Sequence, residues 1–161
     1  MGDEPTGWYA LVDGAQDPSL FGLIRRCAKR ECLISGDLGS ALASASPHLV
    51  RIDGGSPLMA AWKERGLGRS WGLLCESELP FDTLRRHFKK FLNARLADGT
   101  VALFRFYDPR VFHSYIRACS PEERAPWFNG IVQYTVEGKE GLIHNFRLRR
   151  GQLYDGDVLV E

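Results

Sequence analysis

Three aspartates, Asp13, Asp53 and Asp108, each close an apolar, strand-like run and precede a turn or a helix. Strand ends of a layered sheet are where ligands bind, and carboxylates gathered there could act as general acid and base. A small hydrolase or transferase using these aspartates is therefore one reading. The other is that each caps the segment after it, accepting hydrogen bonds from amides that lack partners. Capping is preferred, because no nucleophile or base is spaced to complete a site. His48, His87, His113 and His144 form no HxH or HxxxH pair and no cluster with cysteine, so no metal site is expected. The dinucleotide fingerprint, the Walker pattern and the GxSxG elbow are all missing. The expectation is a protein that is not an enzyme and takes no cofactor.

Two charged stretches remain. Arg105, Tyr107, Asp108, Pro109 and Arg110 crowd one short run, LFRFYDPRVF. Arg105 could pair with Asp108 or another carboxylate, or present a guanidinium fork to a partner. Arg85, Arg86, Lys89 and Lys90, with Arg95 beyond them, lie on the faces left by an apolar helical stripe. Such a face is either solvated or a docking surface for an acidic segment. Trp127, Phe128 and Tyr134 are candidates for partner contact, although aromatic residues serve cores as readily as interfaces.

These residues must be positioned by alternating elements. Residues 8–13, 31–35, 48–53, 70–76 and 100–107 read as strands, being apolar and bounded by glycine, proline or aspartate. In the last, Val101, Leu103, Arg105 and Tyr107 would share one face. Asp108-Pro109, Asp17-Pro18, Ser56-Pro57 and Ser120-Pro121 read as helix starts, and Asp37 as a cap for a short helix. The longest helix is expected over residues 81–96, with Phe81, Leu84, Phe88, Phe91 and Leu92 inward. Residues 131–137 and 142–149 flank a glycine-bounded turn and read as a β-hairpin whose edge could accept a partner strand. The acidic end, residues 154–157, reads as loose. Alternation of strands with helices predicts an α/β fold with a mainly parallel or mixed sheet, flanking helices and a C-terminal hairpin.

Composition narrows the class. The 161 residues suit one folded unit, with 44% hydrophobic and 25% charged residues. A net charge of +1 gives no reason to expect nucleic acid. No apolar run approaches a membrane span, and the polar start does not resemble a signal peptide, so no membrane insertion is expected. Cys27, Cys32, Cys75 and Cys119 form no CxxC pair and sit among apolar residues, as free thiols of a reducing cytoplasm would.

LFRFYDPRVF resembles the signature of the DUF4123 family, the adaptor or effector-chaperone proteins of the bacterial type VI secretion system. Residues 9–15 resemble that family's opening strand, 46–50 its mid-domain strand entry, Trp71-Gly72 a later strand start and 84–92 its basic helix. The series runs in the family's order over residues 8–118. Residues 1–7 then read as a flexible leader, and 119–161 as a short helix, hairpin and tail where cargo specificity could reside. The resemblance implies a cytoplasmic, non-enzymatic adaptor that binds an effector toxin near its N-terminal region. It also implies contact with the tail of a VgrG spike protein, so that the toxin is loaded before secretion. An immunity-like protein that sequesters a toxin without delivering it is the remaining alternative.

Overall fold

The computed structural model describes residues 6–36 and 38–160. Most of the expected leader, and the expected cap at Asp37, lie outside the described residues. In chain order the elements are β1 (Gly7–Asp13), α1 (Leu20–Arg25), β2 (Arg30–Cys32), α2 (Gly39–Ser44), β3 (Pro47–Ile52) and α3 (Pro57–Ala61), which runs into a π turn at Trp62–Gly66. They continue with β4 (Gly72–Ser77), α4 (Phe81–Lys89), β5 (Asn93–Arg95), β6 (Val101–Leu103), α5 (Pro109–Ala118) and α6 (Pro121–Arg124). The chain closes with β7 (Ile131–Glu137), β8 (Ile143–Arg149), β9 (Gln152–Asp155) and β10 (Val158–Leu159).

Eight strands form one sheet in the order β10-β9-β8-β7-β4-β1-β3-β2, while β5 and β6 form a separate two-stranded ribbon. Every pairing is antiparallel. The expected mainly parallel or mixed sheet is therefore overturned. Length explains why. A parallel crossover must return the chain along the strand, and β1, with 7 residues, is roughly 23 Å long. A helix covering that distance at 1.5 Å per residue needs about 15 residues. The longest helix here, α5, has 10. Among the described residues no helix spans the sheet, and neighbouring strands run in opposite directions.

Alternation along β1 fills both faces. Tyr9 and Leu11 join a core with Leu49, Leu73, Cys75, Tyr134, Val136 and Phe146 under α4 and α5. Ala10 and Val12 join the other, with Val50, Leu20, Ile24, Leu58, Trp62 and Trp71 under α1 and α3. Gly72 opens β4 at φ 155°, and a Cβ there would lie 1.8 Å from the Leu11 carbonyl oxygen, so only glycine lets β4 close on β1.

Several segments depart from expectation. The strand expected over residues 100–107 is paired only at Val101–Leu103, in the ribbon. Its partner β5 comes from the end of the expected long helix, which stops at Lys89; beyond β5 the Asp98-Gly99 turn, with Gly99 at φ 87°, folds the chain back. The β7–β8 hairpin forms, but β4 and β9 pair with its outer sides, so neither of its strands is a free edge. The acidic end is not loose: β9 and β10 extend the sheet. Through β7, residues beyond 118 belong to the same sheet as β1 and β4.

Candidate functional site

β1 ends at Asp13, whose carboxylate is buried, with 1% of its side chain exposed. One oxygen accepts from the Ala15 amide at 3.1 Å; the other accepts from Gln16 Nε2 at 3.0 Å and the Arg105 guanidinium at 2.6 Å. The Asp13 amide donates to the Trp71 carbonyl at 2.8 Å, which ties the start of β4 to the same point. Arg105 thus forms its ion pair internally, with Asp13 and not with Asp108. Asp53 lies far from both. Because β1 and β3 are antiparallel, with Trp8 opposite Ile52 and Asp13 opposite Pro47, Asp53 falls at the other end of the strands, roughly 20 Å away. The strand-end aspartates do not converge.

Asp108 caps α5 as expected, with Pro109 at its first position. One oxygen accepts from the Arg110 amide at 2.9 Å and Nε at 3.0 Å, the other from an Arg110 terminal nitrogen at 2.7 Å. Burial pushes this carboxyl up, but the Arg110 hydrogen bonds and the Arg110 and Arg105 charges outweigh it and hold it below the usual range. Burial, then the charge of Asp13, raises the Tyr107 phenol, over whose ring the Arg105 guanidinium sits at 5.8 Å. The signature's phenylalanines pack in the core. Phe104, Phe106 and Phe112 surround Trp127 at ring distances of 6.2, 5.2 and 5.8 Å, and Phe91 stacks on it at 3.8 Å. The Tyr134 hydroxyl donates to the Trp127 carbonyl.

Of the candidate partner residues, Trp127, Phe128 and Tyr134 are buried. On α4, Arg86 and Lys90 are exposed, while Arg85 and Lys89 are half-buried and Lys89 donates to Ser35 Oγ at 2.6 Å. Among the described residues none of the four cations, nor Arg95, forms a salt bridge. The signature builds the turn from ribbon to α5, and the basic helix carries an open cationic face.

Two features had no signal in the sequence. At the end of the sheet a groove of about 570 Å³ is lined by Ser70, Pro109, Arg110, His113 and Lys139. It adjoins one of about 280 Å³ lined by Met59, Trp62, Leu67, Trp71 and Ile143. Glu137 lies at the junction, its two oxygens accepting from the Gly68 amide at 2.7 and 2.9 Å. Next to the larger groove, His113 and His144 meet at 4.5 Å between ring centroids, and His144 Nδ1 pairs with Asp155 at 2.6 Å. These histidines come from α5 and β8, 31 residues apart, so spacing could not join them. A histidine–aspartate pair could activate a nucleophile. Among the described residues, however, no hydroxyl or thiol hydrogen-bonds to either ring. Nor do these residues hold a group of three or more His, Cys, Asp or Glu suited to a metal.

A family model described as "Domain of unknown function (DUF4123)" matches residues 8–126. The chain belongs to the DUF4123 family. The matched residues include both partners of the Asp13–Arg105 pair, the α5 cap and the basic helix, whereas the strands β7 to β10 fall beyond them. No curated protein and no solved structure matches the chain. No helix among the described residues is long and apolar enough to cross a membrane.

Proposed function

We propose that this DUF4123 chain is a non-catalytic, cytoplasmic adaptor of type VI secretion. It binds an effector toxin and the tail of a VgrG spike protein, shielding the cargo and holding it on the spike until release. The observation that carries this reading is family membership over residues 8–126, which include the segments resembling those adaptor proteins. The geometry supports binding over catalysis. Asp13, Arg105, Asp108 and Arg110 satisfy one another or nearby amides, and Asp53 stands apart from them.

A bridge needs two separable surfaces. The open basic face of α4 is one. The adjoining grooves at the sheet end are the other, with Trp62, Leu67 and Ile143 for apolar contact and Lys139 and Arg110 at the rim. The test is copurification: an effector carrying an affinity tag should retain the spike tail only when this chain is present.

A further inference from the structure

We infer that the β5–β6 ribbon is an unfinished sheet that accepts a third strand, an apolar run flanked by carboxylates, on the open edge of β6. The inference deepens the adaptor reading and rests on it in taking that strand from a protein partner.

The first argument is stability. A lone two-stranded ribbon is marginal in water, and a third strand is what makes such a unit stable. Here the ribbon is separate from the eight-stranded sheet and, among the described residues, has no third strand. It also exposes aliphatic surface: Leu96 is 49%, Val101 58% and Leu103 50% exposed. Val101 and Leu103 stand on one face, opposite Arg95 and Asn93.

The second argument is backbone pairing. The Leu96 amide donates to the Thr100 carbonyl at 2.8 Å, and the Phe104 amide to the Leu92 carbonyl at 2.6 Å. In an antiparallel pair, bonded and non-bonded positions alternate, so these two bonds fix the residues between. Val101 and Leu103 consequently turn their N–H and C=O groups away from β5. Among the described residues no other element takes these groups. An edge of this kind is a template for strand addition.

Charge selects the partner. Arg95 is in the ribbon, and Arg86 and Lys90 are on the helix that leads into it; all three are exposed and without a salt bridge among the described residues. Carboxylates flanking the incoming run would be attracted to these cations, which would speed association and set the register. A basic strand would be repelled.

The test uses the full chain and fluorescently labelled peptides, each an alternating valine–threonine run flanked on both sides by two glutamates or two lysines. Fluorescence anisotropy should show the glutamate peptide binding at least tenfold tighter than the lysine peptide. Methylating every amide nitrogen of the run should abolish binding without touching the protein. Val101→Pro removes an outward amide that the inner ladder does not use, and should weaken binding at least tenfold. Equal binding of the methylated peptide, equal binding of the lysine peptide, or no binding at millimolar concentration overturns the proposal. Bridging of effector to spike is measured on the same samples. If it persists in Val101→Pro while the peptide results are negative, the strand proposal alone fails. If the wild-type chain does not bridge, the adaptor reading fails whatever the peptides do.

Discussion

Arg105 donates across 2.6 Å to Asp13, a buried carboxylate 92 residues earlier in the chain. The pair fastens the turn into α5 to the end of β1, which lies inside the sheet between β4 and β3. Arg105→Ala would leave the carboxylate with only the Gln16 side chain and the Ala15 amide. The expected loss is about 2–3 kcal/mol, below the full cost of breaking an enclosed pair because Arg105 is 46% exposed. Urea unfolding of Arg105→Ala, Asp13→Asn and the double variant should give a clear coupling energy. A coupling near zero would contradict the pairing.

Asp108 is the cap of α5, and Asp108→Ala should cost about 1 kcal/mol through the lost amide and guanidinium bonds. Its folded carboxyl is held below the usual range. The stabilisation is therefore complete above the unfolded value of about 3.9 and is lost as pH falls through the lower folded value. Wild-type stability should drop more steeply below about pH 4 than that of the variant. Parallel acid profiles would show that the cap does not ionise as described.

His48, His87 and His113 are all held below the ordinary imidazole range, with burial the leading cause in each. The unfolded chain takes up these protons near pH 6.5, before the folded chain does. Stability should thus be greatest above that pH and decline as pH falls towards the folded values. Melting temperatures between about pH 7.5 and pH 5.5 measure the slope. His87→Phe, placed between Phe88 and Phe91, should flatten it; a slope as steep as wild type would remove His87 from the explanation.

Local chemistry was readable and pairing was not. The Asp108-Pro109 and Ser120-Pro121 caps and the β7–β8 hairpin depend on neighbours a few residues apart, and each formed. Sheet direction depends on which distant runs bury one another. Alternating strands and helices suggested parallel pairing, and the expected helix over residues 81–96 was long enough for it; the helix that forms there stops at Lys89. The site was legible to a similar depth. Arg105 had to find an internal carboxylate, but nothing near it in sequence pointed to Asp13. Trp127 and Tyr134 could have been core or interface until Phe91, Phe106 and Phe112 closed around them.

Charge on α4 should govern association more than stability. Arg86→Glu combined with Lys90→Glu is expected to leave the melting temperature within a few degrees of wild type, because both side chains are exposed. Association with the partner should slow by at least tenfold at low salt and lose its ionic-strength dependence. Stopped-flow kinetics across salt concentrations would decide the matter. Unchanged rates and slopes would mean that these charges only face solvent.

The central claim is that this chain holds an effector and a spike tail together. The most direct measurement is a pull-down with purified components: tagged effector, spike tail, and this chain present or omitted. Retention of the spike tail that depends on this chain, in a complex containing all three proteins, is the expected result. Equal retention without it would contradict the adaptor account. Capture of the effector with no recruitment of the spike would point to sequestration of a toxin, without delivery.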